Sequence, residues 1–381
     1  DGPEYEITKI TENWSDLILY HIEGNLTVPL YLDDPGPGGA MQFGNDGMPE
    51  ATGTATFPFV AMVPYSVFDK GPAGLMQFGH GLFGSYEDIE RTEIQQVAND
   101  FNFIAFGFSW IGLSGDDIGL LAGIFAGGDL SQFSAVPDRL QQGIINAQLG
   151  MRMMARGLYA DPQLEVDGAS LVDPDEQVFF GASLGGIMGS VYMATSVDVV
   201  RGGLGVPGQS FNMLLQRSKL FEPFQTTFDQ NYSNPIDTQM GLGLVQLLWD
   251  RAEPTGYSHH IIDDPLPGTP SHEVLIQAAI GDHLVTNYAT HVMVRTLGIP
   301  NIGPLNREVW GIEEAEPGYE GSGFIEYDFG LPPIPVENLP MIEGNDPHGD
   351  IWNFGPSRQA LENFIRNGTV ESFCDGPCDP E

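Results

Sequence analysis

The chain has 381 residues, of which 41% are hydrophobic and 17% are charged, as expected for a globular protein with a large core. Its 52 acidic and 14 basic side chains give a formal net charge of −38, which excludes nucleic acids and anionic membranes as partners through long-range repulsion. The sequence contains no apolar run of about 18 residues, the length that a transmembrane helix requires.

Residues 1–73 predict β-strands that extend the edge of a larger sheet. The stretch LILYHIEGNLTVPLYL predicts two strands joined by a turn at Glu-Gly-Asn, residues 23–25. The segment that follows, residues 33–53, is rich in glycine and proline and predicts a long surface loop. We therefore expect an antiparallel N-terminal extension ahead of the main domain.

Residues 74–370 alternate short apolar runs with helical stretches, which predicts a mostly parallel sheet covered by helices. Two connections exceed the usual 2 to 6 residues of such folds: residues 112–135 and about 207–262. Each insertion is a candidate lid or pocket wall. The alternative, given equal weight, is that it adds structural helices that pack on the core. In the tail, residues 371–381, Cys374 and Cys378 predict a small disulfide-closed loop.

The stretch VFFGASLGGIMG contains a G-x-S-x-G pattern from Gly181 to Gly185, with Ser183 at its centre. An apolar strand precedes the pattern and a helix follows it, which is the context that a nucleophilic serine on a strand-to-helix bend requires. Glycines at both flanks prevent side chains from colliding with the adjacent backbone. The pattern predicts Ser183 as a nucleophile whose hydroxyl lies beside a helix N-terminus.

The stretch QFGHGLFGSY predicts a loop that brings a backbone N–H close to this serine. We expect the N–H groups of Leu82 and Leu184 to stabilise a developing oxyanion, with His80 and Gly81 shaping the loop.

A serine nucleophile needs a base, and His348 is the first candidate because it lies in a Gly/Pro/Asp-rich loop between the last strand and the last helix. His80 is a weaker candidate, since its surroundings predict an oxyanion loop. The remaining histidines are His21, His259, His260, His272, His283 and His291. Those at 283 and 291 are expected to pack or to face solvent, and those at 259 and 260 to belong to the second insertion.

Asp282 directly follows a long apolar strand and a glycine, so it is the candidate acid that orients the imidazole. Asp346 and Asp350, which flank His348, remain rivals, as do Asp263 and Asp264. The order along the chain is then serine, aspartate, histidine, which is the order of α/β-hydrolases.

On these residues the chain resembles the α/β-hydrolase superfamily, and within it bacterial serine esterases and lipases. The motifs GASLGG, IGDHLVTN and DPHGD are similar to those of large exported bacterial lipase-like hydrolases. The resemblance implies an α/β-hydrolase fold with a helical cap and an acyl-enzyme on the serine, without cofactor or metal. Many relatives have histidine where this chain has Ala182. The aromatic residues expected to form a substrate pocket are Phe83, Trp110, Phe125 and Phe133.

The expected function is hydrolysis of carboxylic esters, either small molecules or polymers such as polyesters. A peptidase on the same fold and a non-catalytic binding module are the alternatives. Because the chain begins at Asp1 and ends in a cysteine pair, we expect an exported protein, secreted or periplasmic. The acidic stretches SGDDIG and DPDEQ lack the ligand spacing of a calcium loop.

Overall fold

The computed structural model describes residues 2–380. The strands are β1 Tyr5–Glu12, β2 Ile18–Leu30, β3 Gly53–Pro64, β4 Ala73–Gly79, β5 Phe103–Gly107, β6 Glu165–Val166, β7 Ala169–Ser170, β8 Val172–Ala182, β9 Arg201–Gly205, β10 Glu273–Ala279, β11 Asn301–Ile302, β12 Glu314–Ala315, β13 Tyr319–Glu320, β14 Gly323–Tyr327 and β15 Thr369–Val370. The α-helices are α1 Val67–Lys70, α2 Thr92–Phe101, α3 Ile118–Gly127, α4 Ala135–Arg156, α5 Leu184–Thr195, α6 Phe211–Leu214, α7 Glu222–Asn231, α8 Pro235–Trp249, α9 Asn287–Leu297 and α10 Gly355–Asn367.

One large sheet runs through the molecule in the order β1-β2-β3-β5-β4-β8-β9-β10-β14-β11-β12. Strands β1, β2 and β3 pair antiparallel, and β3 also pairs antiparallel with β5. From β5 to β12 in this order every neighbouring pair is parallel. The predicted architecture, a mostly parallel sheet with an antiparallel N-terminal extension, is confirmed.

The predicted turn at residues 23–25 is wrong, because β2 continues through it as one strand paired with both neighbours. Gly24 lies opposite Phe59 in this pairing. A Cβ at position 24 would lie 2.5 Å from the Phe59 ring, so the glycine makes room for an aromatic side chain. A glycine inside a strand thus marks close packing here rather than a reversal of the chain.

The central strands of the sheet, such as β4, β5 and β10, are buried on both faces, as expected for parallel strands covered by helices. In β8, Val178 and Phe180 pack with side chains of α2 and α10, whereas Phe179 packs with those of α4 and α5. This alternation follows from the two-residue period of a strand. Because β8, β9 and β10 pair in parallel, their C-terminal ends lie next to one another at one end of the sheet.

The connection between β9 and β10 contains α6, α7 and α8, and it packs against α3 from the earlier insertion. Phe125 of α3 contacts the rings of Phe221, Phe224 and Phe228, with centroids 5.6 to 5.8 Å apart. The two insertions that the sequence singled out therefore form one aromatic contact region.

The predicted disulfide between Cys374 and Cys378 is present near the C-terminus. Among residues 2–380, no helix combines the length and the apolar character that crossing a bilayer requires.

Candidate active site

Ser183 lies on the bend between β8 and α5, with φ 59° and ψ −124°. Positive φ is unfavourable for a residue with a Cβ, so the surrounding structure must hold this conformation. The Ser183 N–H donates to the carbonyl of Gly205 at 2.9 Å, which ties the bend to the end of β9. The bend presents the serine side chain at the C-terminal edge of the sheet.

The glycines on either side of Ser183 are required by close backbone contacts. A Cβ at position 185 would lie 1.9 Å from the carbonyl oxygen of Gly79, and one at position 181 would lie 2.3 Å from that of Gly185. Such distances are far below contact, and backbone atoms cannot move aside. The G-x-S-x-G spacing therefore follows from the packing of β4, β8 and α5.

His348, which is partly buried, pairs with the buried Asp282, and Nδ1 of the histidine lies 2.7 Å from Oδ2 of the aspartate. The other carboxylate oxygen of Asp282 accepts the N–H groups of Leu284 and Val285 at 2.8 and 2.9 Å. These two bonds fix the carboxylate, and its Oδ2 accepts the hydrogen bond that Nδ1–H of the ring donates. The unprotonated Nε2 is then the atom available as a base.

The charges around His348 favour its protonated form. Burial of the ring lowers the pKa of His348, but the charge of Asp282, the hydrogen bond to it and the charge of Asp346 together raise this pKa above its ordinary value. The Asp282 carboxylate thus stabilises the imidazolium form of His348.

Asp346, a rival acid in the sequence, contacts the backbone of the site rather than the imidazole ring. Its Oδ1 accepts the N–H of His348 at 3.1 Å and the N–H of His283 at 3.3 Å. It therefore joins the loop that carries His348 to the loop that carries Asp282.

Ser183 and His348 lie at the same edge of the sheet. Ser183 shares one pocket with Leu284 and Val285, which follow Asp282. Its neighbour Ala182 shares a second cavity with Gly349, which follows His348. Within residues 2–380, no hydrogen bond joins the serine hydroxyl to the imidazole; in unliganded sites such bonds are often long and tighten when substrate binds.

The two predicted oxyanion donors lie beside Ser183. Leu82 and Leu184 line the same pocket as the serine, and a Cβ at Gly81 would lie 4.0 Å from the serine Cβ. In the described part of the chain, neither the Leu82 N–H nor the Leu184 N–H has an acceptor. Leu184 is also the first residue of α5, where the helix dipole favours negative charge.

His80 fixes the direction of one of these donors. Its Nδ1–H donates to the carbonyl of Gly81 at 2.7 Å, and its Nε2 accepts the N–H of Trp110 at 2.7 Å. Burial lowers the pKa of His80, so the ring stays neutral and holds both bonds. Because the Gly81 carbonyl and the Leu82 N–H belong to one planar peptide, holding the carbonyl orients the N–H. This role explains why His80 is not free to act as the base.

The pocket at Ser183 is a cavity of about 70 Å³ with almost entirely apolar walls. Of the four aromatic residues expected there, Phe83 and Phe125 line it. Trp110 and Phe133 do not, since they are fully buried against Phe179 and Trp249 respectively. Side chains of the second insertion that complete the walls are Phe211, Leu214, Leu215, Ser218, Leu220, Phe221, Phe224 and Trp249.

The other histidines have partners away from the serine. His291 Nε2 lies 2.7 Å from Glu326, which also binds Arg307, and His272 contacts the carbonyl of Ser196. His260 contacts the carbonyl of Asp264 in the second insertion.

No protein-family model and no curated protein sequence matches the chain. An acetyl xylan esterase from Thermoanaerobacterium sp. JW/SL YS485 overlaps with a TM-score of 0.43 at 12% identity, over 86% of this chain and 83% of that chain. An esterase from Pseudomonas putida ECU1011 overlaps with a TM-score of 0.43 at 13% sequence identity, over 83% of this chain and 78% of that chain. An acylaminoacyl peptidase from Pyrococcus horikoshii overlaps with a TM-score of 0.43 at 12% sequence identity, over 84% of this chain and 41% of that chain. The α/β-hydrolase fold of this chain is evident in its own sheet order and in the strand–serine–helix bend.

Proposed function

We propose that the chain is a serine hydrolase of carboxylic esters, with Ser183 as nucleophile, His348 as base and Asp282 as orienting acid. The observation that carries the proposal is the fixed Asp282–His348 pair, 2.7 Å apart, at the sheet edge where Ser183 is held at positive φ. Two N–H groups without acceptors and an apolar pocket beside the serine support it.

In the proposed reaction, Nε2 of His348 accepts the proton of the Ser183 hydroxyl while the oxygen attacks the ester carbonyl. The N–H groups of Leu82 and Leu184 donate to the oxyanion that forms. The alcohol leaves with the proton from His348, and an acyl group remains on Ser183. Water, activated by the same histidine, then releases the acid.

The pocket favours an apolar acyl group. Its walls are aliphatic and aromatic, and the hydroxyl groups of Ser183 and Ser218 are its polar side chains. Burial of an acyl chain against such walls contributes about 0.8 kcal/mol per methylene group. The substrate in this proposal is a small-molecule or polymeric ester with an apolar acid portion.

Residues 207–262 act in this proposal as a cap over the pocket of a catalytic domain that spans residues 74–370. Packing of α3 against α7 and aromatic side chains from both insertions around the pocket support this role. The Cys374–Cys378 disulfide supports an oxidising, extracytoplasmic compartment as the place of action.

Hydrolysis of p-nitrophenyl acyl esters, compared with chromogenic peptides, tests the proposal. We expect turnover of the esters and covalent labelling of Ser183 by a fluorophosphonate probe, detected by peptide mass spectrometry. Labelling without ester turnover, together with peptide cleavage, would instead favour a peptidase. Absence of labelling would favour a binding module.

Activity should fall at acid pH with a midpoint above the ordinary histidine pKa, because the base must be neutral and the pKa of His348 is raised. Asp346→Asn removes one of the charges that raise this pKa, while its amide oxygen can still accept both backbone N–H groups. We therefore expect the acidic midpoint of kcat/KM to move to lower pH.

Glu343→Gln is the matched control, because Glu343 is an exposed carboxylate on the same loop. Its profile of kcat/KM against pH should keep the midpoint of the unmodified protein. An unchanged midpoint in Asp346→Asn, or an equal shift in both variants, would contradict the electrostatic role of Asp346.

A further inference from the structure

A second cavity of about 290 Å³ opens beside the proposed active site. Ala182, which directly precedes Ser183, forms part of its wall. Gly349 and Asp350, which directly follow His348, form another part. The cavity is thus lined by the sequence neighbours of Ser183 and His348, and the acyl pocket described above does not include these residues.

The chemistry of the proposed reaction determines which part of an ester lies on this side. The carbonyl oxygen must point to the N–H groups of Leu82 and Leu184, and the apolar acyl pocket shares a wall with those two residues. When the tetrahedral intermediate collapses, the bond between the carbonyl carbon and the alkoxy oxygen breaks. Its electron pair stays on the alkoxy oxygen, which takes the proton from Nε2 of His348. The alcohol portion must therefore lie towards His348.

Aromatic and aliphatic side chains form part of the wall of the second cavity, next to the charged side chains of Arg91, Glu93, Asp350 and Arg358. Phe180 and Trp352 contact each other edge to face, with centroids 5.5 Å apart, and Leu361 is also buried there. Ala182 lies on the same face of β8 as Phe180, since the two are two positions apart in the strand. Its methyl group leaves open the space that a larger side chain at this position would fill.

We propose that this cavity receives the alcohol portion of the ester, that it admits a cyclic or aromatic alcohol, and that Ala182 sets the size admitted. The inference rests on the proposed function, since only an acyl-transfer reaction has a leaving alcohol. It assigns the specificity for the leaving group to α2, α10 and the loop after His348, and not to the cap.

The test compares benzyl butyrate with methyl butyrate, which share one acyl group and differ in the size of a primary alcohol. The quantity measured is the ratio of kcat/KM for the benzyl ester to that for the methyl ester. Ala182→Phe and Asn353→Phe each place a ring into the cavity, the second from an exposed position at its mouth. We expect each variant to lower the ratio by about tenfold or more.

Gln359→Phe is the control, because it adds the same ring at an exposed position that does not line the cavity. It should keep the ratio of the unmodified protein. If Ala182→Phe does not fold, Asn353→Phe decides the outcome. A ratio for Asn353→Phe within about twofold of that of the unmodified protein overturns the subsite. An equal fall of the ratio in Gln359→Phe overturns it as well. If the unmodified protein hydrolyses neither ester, the proposed function itself fails.

Discussion

Ser183→Ala is expected to lower kcat for ester hydrolysis by about 10⁶-fold, the loss seen when the nucleophile of a serine hydrolase is removed. The proposed oxyanion donors and the proposed acyl pocket remain in this variant, so substrate binding should persist. The hydroxyl makes no hydrogen bond within the described residues, and alanine keeps the Cβ. The free energy of unfolding should therefore change by less than about 1 kcal/mol.

Ser183→Gly separates the cost of the bend from the chemistry. Glycine occupies positive φ without steric penalty, and it has no hydroxyl, so this variant should lose turnover as completely as Ser183→Ala. Its free energy of unfolding should rise by about 1 kcal/mol or less, because the greater entropy of the unfolded chain offsets part of the relieved strain. A gain in stability would mean that the positive φ of Ser183 is strained. A loss in stability would mean that packing of the serine Cβ stabilises the fold by more than the strain at positive φ costs.

Steady-state kinetics on a p-nitrophenyl ester and thermal unfolding of the same samples test both variants. Ser190→Ala is the control, because this serine lies in α5 and donates only to the carbonyl of Ile187. It should keep turnover within about tenfold. Retained turnover in Ser183→Ala would remove the serine from the reaction.

The bend and the parallel sheet were predictable because their causes are local in the sequence. Gly181 and Gly185 are needed wherever a strand turns directly into a helix packed this tightly, and apolar runs reveal buried strands without knowledge of their neighbours. The position of Asp282 after such a run was predictable for the same reason. In each case the sequence pattern and the structural requirement involve the same few residues.

The remaining features depend on contacts between distant segments. Gly24 has the sequence context of a turn, and only its pairing with Phe59 shows that it belongs to a strand. Trp110 and Phe83 are both aromatic residues near loops, yet one packs inward and the other lines the pocket. The bridge that Asp346 makes between two loops likewise requires positions 63 residues apart to meet.

Asp282→Asn is expected to lower kcat/KM by about 10⁴-fold, because the substitution reverses the hydrogen bond to His348. One oxygen of Asp282 accepts the N–H groups of Leu284 and Val285, and the asparagine oxygen will keep these two bonds. The amide NH₂ must then face Nδ1 of His348 and donate to it. Nδ1 becomes an acceptor, the ring proton moves to Nε2, and the base can no longer accept the proton of the serine.

The same substitution removes the charge that stabilises the imidazolium, so the pKa of His348 should fall as well. Asp346→Asn is the matched control, since it removes a nearby carboxylate that does not contact the ring, and it should cost far less than Asp282→Asn. Kinetics over a range of pH values distinguish the two effects, because a tautomer change lowers the plateau of kcat/KM whereas a pKa change moves its midpoint. A larger loss in Asp346→Asn would mean that Asp346, and not Asp282, orients the base.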